Sequence, residues 1–387
     1  MQPAFLRRGL SAAAVAAARV LGGCATNTAE AEAEAARVAA EAAAAAHRPP
    51  AIALNEGVAQ AASVYVAFTR EMAAMEGGFE SAEAVQAAVR RGSTYNPDQV
   101  SRGLVAYASI IALQSPEFVA GVRQYASHRA TREKLVADIV ADPRQASYLP
   151  GAPAAAGLVI AALRSDIDAL GRAADSVEND AYAIQARYDP RRSWAVAPGA
   201  DPVGRLEAAK ARSLEAMAPS AADAAGLFAA AHSGAGLPVS GPPRDQPFPP
   251  VVERALALAA LAALGAAGDA ARVNTDALQQ EPVSQHCLAM SKLNLFQCLA
   301  ASRPSYEDMF CLGRHIVRDL ATCTRGAAIP AAVVTVSDIV PVGPPVPVGR
   351  PPIVISPPPP PPSPPLSEPR PALTPTERLN RGANTPE

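Results

Sequence analysis

The sequence predicts an all-α protein: a multi-helix bundle that ends in a disulfide-stapled helical hairpin, followed by a disordered, proline-rich tail. Three observations support this fold class. Apolar residues recur at spacings of three and four through most of residues 51–326, as on one face of a helix. Several segments open with a capping residue, a proline and an acid, as at 96–98 and 115–117, which is typical of a helix start. Strand signals are nearly absent, since the single β-branched run in the sequence is 331–340.

The first part of the predicted bundle is a helical body over residues 51–232. A helix within 51–75 precedes a short helix that Ser81 caps and that ends at Gly92. Asn96 caps the next helix, and its many large apolar residues lead us to expect it to be the most buried of the chain. Further helices are predicted to start near Pro116, Arg132, Pro153, Val203 and Ala221.

The second part of the bundle follows a Gly- and Pro-rich loop at 233–250. Residues 251–326 begin with an alanine–leucine helix and continue as two amphipathic helices. Pro304 lies between these two helices, where it ends the first and starts the second. This segment is therefore predicted to be a helical hairpin.

Four cysteines lie on the two arms of this hairpin, and their numbering defines a pairing. Residues that face each other across an antiparallel hairpin have numbers that average to the position of the turn. Cys298 and Cys311 average to 304.5, and Cys287 and Cys323 average to 305. Both averages fall on the turn at 303–305, so one register allows both bridges. We predict the nested disulfides Cys287–Cys323 and Cys298–Cys311.

The same segment also contains the residue types of a metal site. His286 and His315 lie among the cysteines, and Cys311 and His315 are four residues apart, on one helix face. Structural zinc sites normally include a tight Cys-x-x-Cys knuckle, which this segment lacks. We therefore predict no metal and no cofactor, with both histidines on exposed polar faces. Metal binding remains the alternative.

The N-terminus has the three parts of an export signal over residues 1–23. Arg7 and Arg8 form the basic part, residues 11–18 the apolar part, and small residues precede Cys24. The sequence Leu21-Gly22-Gly23-Cys24 resembles the lipobox of bacterial lipoproteins. Beyond this signal, the sequence resembles no characterised functional family.

The lipobox resemblance carries three expectations. It implies that the signal is removed, that lipid is attached to Cys24, and that the mature chain is held at a membrane of the cell envelope, facing the periplasm. Because Ala25 follows the cysteine where aspartate would favour the inner membrane, it implies the outer membrane. Secretion without lipid, or a cytoplasmic chain, are the alternatives.

Two segments of biased composition flank the bundle. Residues 24–50 are rich in alanine and glutamate and are predicted to form a helix or a semi-rigid tether. Residues 327–387 form the predicted tail, and 18 of the chain's 39 prolines fall within 341–387. Such a segment is expected to be disordered or polyproline II and to act as a solvated linker. Binding to an aromatic groove of a partner, or spanning the peptidoglycan mesh, is the alternative.

Composition and missing motifs exclude several function classes. The chain has 387 residues, with 34 Lys+Arg against 36 Asp+Glu, so it lacks the basic excess that nucleic-acid binding requires. Gly-x-Ser-x-Gly, Ser-x-x-Lys and His-Glu-x-x-His motifs are absent. None of the three lysines follows a glycine, which excludes a phosphate-binding P-loop. We therefore predict that the protein is not an enzyme.

Some polar and aromatic residues are candidates for a binding site, although a structural role is expected for each. Tyr95 precedes a helix cap and Asn96 is that cap, Tyr306 lies in a first helical turn, and Trp194 covers a loop. The acidic pairs Asp166/Asp168 and Glu307/Asp308 are expected to lie on solvated helix faces, since neighbours this close along a helix do not face one cleft.

Together these patterns predict a non-enzymatic lipoprotein of the cell envelope. Its expected role is structural or partner-binding, with the membrane as one partner through Cys24 and an envelope protein or peptidoglycan as another. The alternative is a periplasmic helical module that binds a small ligand or a metal between its helices, with His286 and His315 as the first residues to test.

Overall fold

A computed structural model of the protein describes residues 28–46 and 50–330. Within these ranges the chain forms fifteen α-helices and no β-strand, which confirms the predicted all-α class. The export signal with Cys24, and the proline-rich segment from residue 331 onward, lie outside the described residues.

The helices follow one another with short connections, apart from the longer loop over residues 234–249. The first seven are α1 (Thr28–Ala46), α2 (Glu56–Ala73), α3 (Ala82–Gly92), α4 (Pro97–Ala112), α5 (Pro116–Arg123), α6 (Arg129–Ala141) and α7 (Ala152–Ala186). The others are α8 (Ser193–Val196), α9 (Pro202–Ser213), α10 (Ala221–Ser233), α11 (Pro250–Ala263), α12 (Arg272–Leu278), α13 (Pro282–Ala301), α14 (Ser305–Leu312) and α15 (Asp319–Ala328). A π-helical turn, Gly313–Arg318, joins α14 to α15 without a break.

The helix starts predicted at Ser81, Asn96 and Ser115 are present, and side-chain caps explain them. The helix predicted to start near Arg132 begins three residues earlier, at Arg129. The Asn96 side chain accepts hydrogen bonds from the backbone N–H groups of residues 98 and 99, at 3.0 and 3.1 Å. The hydroxyls of Ser81 and Ser115 accept equivalent bonds from the first turns of α3 and α5. These bonds satisfy N–H groups that have no partner within the helix. The sequence signals at these positions therefore fix where α3, α4 and α5 begin.

The core is centred on α4, which packs between α2 and α11. Gly103 allows the close approach of α2, since a Cβ atom there would lie 2.5 Å from the Ala61 carbonyl oxygen. The expectation that α4 is the most buried helix is wrong, because α11 is buried at every position from Ala255 to Ala263. Its small alanines let it pack closely against α4 and α7 at once.

The C-terminal hairpin packs its second arm, α14 and α15, against the long helix α7. The Phe310 and Tyr182 rings are 5.7 Å apart, and the Arg318 guanidinium hydrogen-bonds to Glu178 at 2.6 Å. The predicted start of the tail at residue 327 is too early, because α15 continues to Ala328, which is fully buried.

No single helix among the described residues has both the length and the hydropathy that crossing a membrane requires. One pair, α4 with Pro116–Ala126, meets the test of length and composition together but is bent by 85°. Most of α4 is buried in the core.

Candidate functional site

Two disulfides tie the arms of the hairpin together. Cys287 is bonded to Cys323 and Cys298 to Cys311, with Cα atoms 5.5 and 5.7 Å apart. Cys311 and Cys323 are buried in the core, whereas the other two cysteines are half-buried. The hairpin is therefore stapled near both ends while its second arm is part of the hydrophobic core.

A buried charge pair ties the turn of this hairpin to the rest of the body. Asp308 is 1% exposed and accepts hydrogen bonds from Arg205 on α9, from Gln86 on α3 at 2.6 Å, and from Ser302 at 2.5 Å. Burial raises its pKa, and the bonds from Ser302 and the charge of Arg205 oppose that rise. The expectation that Asp308 lies on a solvated face is therefore wrong. Its neighbour Glu307 is half-buried and accepts a bond from the Arg303 backbone.

The two histidines of the alternative metal site differ in their surroundings. His286 is exposed, as predicted, but His315 is half-buried, with its Nδ1 atom 3.3 Å from an Asp319 carboxylate oxygen. Since every hairpin cysteine is in a disulfide, no thiolate is left as a ligand. Nowhere in residues 28–46 and 50–330 do three or more His, Cys, Asp or Glu side chains gather in a way that would hold a metal ion.

The other candidate residues serve packing. The Tyr95 ring is buried, and its hydroxyl donates to Leu288 O or Ser291 Oγ, each at 3.2 Å. Lys292 lies 4.5 Å from the centre of that ring, and its ammonium donates to the Tyr95 carbonyl oxygen. Burial lowers the Lys292 pKa to about 8. Tyr306 and Trp194 are half-buried against the core.

The strongest site in the described chain is an open cleft between α2, α4 and α7, which we call the Asp166 cleft. Its volume is about 360 Å³. It is lined by Val66, Thr69, Arg70, Ala73, Ala74, Tyr107, Asp166 and Ala169. The Tyr65 ring packs behind it, 5.7 Å from the Tyr107 ring, and the Tyr65 hydroxyl lies 3.4 Å from an Asp166 carboxylate oxygen.

The polar groups of this cleft are poorly satisfied. The Thr69 hydroxyl is buried and has no partner in hydrogen-bond geometry. Burial raises the pKa of Asp166 to about 6, and the bond from Tyr65 opposes this rise only in part. Burial also raises the pKa of Tyr107 to about 12, with the Asp166 charge adding to the effect. Perturbed groups that converge in a cleft are typical of a functional site.

Sequence reasoning did not identify the Asp166 cleft, because it placed Asp166 on a solvated face. The spacing of Asp166 from the apolar residues of α7 indicates its true position. Asp166 is three residues after Leu163 and four before Leu170, both fully buried, so it shares the core-facing stripe of α7. Asp168 falls on the opposite side and is exposed, as expected.

Replacing Asp166 by asparagine is expected to stabilise the protein at neutral pH. The pKa is near 3.8 in the unfolded chain and about 6 in the folded one. Between these values the folded state holds a proton that the unfolded state has released, so stability falls as pH rises through this window. Asp166→Asn removes that penalty, which we expect to be about 2 kcal/mol above the window after allowing for solvent in the cleft.

Denaturant unfolding at about pH 4 and about pH 7.5 measures this effect. The gain in the free energy of unfolding of Asp166→Asn over the wild type should be present at the higher pH and nearly absent at the lower one. Asp168→Asn is the matched control and should change little at either pH. A variant that is less stable than the wild type at pH 7.5 would show that the Asp166 carboxylate is well solvated.

No protein-family model matches this sequence, and no curated protein or solved structure matches it significantly. The site is therefore defined by its own residues: an open cleft lined by the Asp166 carboxylate and by Tyr107, with the buried Tyr65 packed behind it.

Proposed function

We propose that this protein is an exported lipoprotein of the cell envelope, anchored by lipid at Cys24, facing the periplasm, and non-enzymatic. Its role is structural or partner-binding, at the outer rather than the inner membrane. The observation that carries the proposal is the pair of disulfides in the hairpin, because stable disulfides are typical of oxidising compartments outside the cytosol. The lipobox-like sequence at the N-terminus independently favours the same compartment.

The helix that follows Cys24 is suited to a spacer. α1 has 19 residues, which corresponds to about 28 Å of helix. The side chains of residues 31–41 are all exposed, and alanine and glutamate dominate them. A helix of this kind holds a folded body away from a membrane surface, where it meets an envelope protein or peptidoglycan. The near-neutral charge of the chain gives no support to a nucleic-acid partner.

Replacing Cys24 by alanine tests the anchor. We expect the wild-type protein to sediment with membranes and the Cys24→Ala protein to stay in the soluble fraction, since a single cysteine carries the lipid. Fractionation followed by immunoblotting measures the distribution, and Thr26→Ala is the control that should remain with membranes. Continued sedimentation of Cys24→Ala would contradict the lipid anchor.

The partner-binding role is tested by crosslinking in intact cells and identification of the products by mass spectrometry. The proposal predicts a reproducible set of envelope proteins or peptidoglycan fragments that is lost with Cys24→Ala. Crosslinks to cytoplasmic proteins alone would contradict it.

A second candidate function is small-ligand binding between the helices. The Asp166 cleft favours it, because the Asp166 carboxylate receives one hydrogen bond, from Tyr65, and forms no ion pair within the described residues. This candidate keeps the compartment and the non-enzymatic character of the first proposal. For this candidate function, the residues of the cleft, rather than His286 and His315, are the first to test for ligand binding.

A further inference from the structure

We propose that the Asp166 cleft binds a small organic cation, a ligand whose ammonium group pairs with the Asp166 carboxylate. The inference rests on the second candidate function above and adds the charge and chemical class of the ligand.

The Asp166 carboxylate has no counter-ion in the described part of the chain. Within the described residues no basic side chain forms an ion pair with it, and its one hydrogen bond comes from the neutral Tyr65 hydroxyl. The nearest lining guanidinium, Arg70, is bound instead to Asp223 on α10, at 3.2 Å. A half-buried carboxylate without a counter-ion costs folding free energy, and a bound cation removes that cost.

The polar groups of the cleft favour a ligand that donates hydrogen bonds. A carboxylate only accepts hydrogen bonds, so the ligand must supply donors. An ammonium group has three donors. Asp166 and Tyr107 offer oxygen acceptors along the cleft. The Tyr107 ring also lines the cleft, and an aromatic ring attracts a nearby cation.

The remaining wall of the cleft is apolar, and its volume limits the size of the ligand. Val66, Ala73, Ala74 and Ala169 present methyl groups along the cleft. With a volume of about 360 Å³, the cleft fits an aliphatic amine of a few carbons rather than a polymer. The ligand class is therefore a short primary ammonium compound with an apolar chain.

Three probes of similar size test the charge preference. We would titrate the purified full chain, with its tyrosine rings carbon-13 labelled, with n-butylammonium, n-butanol and butyrate at pH 7.5, and follow the NMR signals of Tyr65 and Tyr107. The proposal predicts saturable shifts with n-butylammonium and none with butyrate at the same concentrations. Butanol should bind about tenfold more weakly than the cation or not at all.

Two variants make the test specific to the cleft. Asp166→Asn should weaken n-butylammonium binding by about tenfold or more, although the variant is expected to be the more stable protein. Asp168→Asn, an exposed carboxylate on the same helix, should leave the affinity unchanged.

The outcomes distinguish a failure of the cation inference from a failure of the small-ligand function. Equal or preferential binding of butanol or butyrate in the cleft would overturn the cation inference and leave small-ligand binding standing. Binding of n-butylammonium that survives in Asp166→Asn would likewise overturn it. If none of the three probes shifts either tyrosine, both the inference and the small-ligand function fail, and the envelope proposal, which fractionation tests, is unaffected.

Discussion

Replacing Arg205 by methionine is expected to lower the free energy of unfolding by about 3 to 5 kcal/mol. The guanidinium is the one cation in contact with the buried Asp308 carboxylate among the described residues. Methionine keeps most of the apolar packing of the stem but leaves the carboxylate without its counter-ion. Because the pKa of Asp308 should then rise further, the loss should be greater at about pH 8 than at about pH 5.

Arg212→Met is the control for this prediction. Arg212 lies on the same helix, α9, and pairs with Glu215, but both side chains are about half exposed. Exposed pairs of this kind contribute roughly 0 to 1 kcal/mol, so the control should unfold almost like the wild type. If Arg205→Met and Arg212→Met lost equally little stability in urea, the buried pair would not hold α9 to the hairpin.

Removing the outer disulfide with Cys287→Ala and Cys323→Ala is expected to cost about 4 kcal/mol, and removing the inner one about 3 kcal/mol. The difference follows from the loops that the bridges close in the unfolded chain, with sequence separations of 36 and 13 residues. Longer closed loops restrict the unfolded state more, so the outer bridge contributes more.

Thermal or denaturant unfolding of the two double variants measures this order. The account expects the outer-bridge variant to be the less stable of the two, with both retaining helical circular dichroism. Wild-type stability in either variant would mean that the hairpin is held by its packing on α7 alone.

Local signals in the sequence predict much of the fold. Helix starts at 97 and 116 follow from capping residues and prolines whose effects act within one turn, and the structure has them at those residues. The nested disulfides follow from one register around Pro304, because a rigid hairpin converts sequence numbers into distance. Both predictions needed only short-range geometry.

The features that sequence reasoning missed depend on contacts distant in sequence. Asp308 is buried because Arg205 on α9 and Gln86 on α3 contact it, although both are more than a hundred residues away in the sequence. Asp166 is half-buried because α2 and α4, which approach closely at Gly103, form walls of its cleft. No local pattern specifies these approaches, although the position of Asp166 on the apolar stripe of α7 was a usable hint.

Counting the free thiols of the hairpin tests most directly the proposal that it is oxidised outside the cytosol. Protein isolated from the cell envelope under an alkylating quench would be unfolded without reductant, treated with a maleimide, and analysed by mass spectrometry. The account predicts no label on Cys287, Cys298, Cys311 or Cys323 and peptides joined as 287–323 and 298–311. Four labelled cysteines in this unreduced material would contradict both the stapled hairpin and the compartment inferred from it.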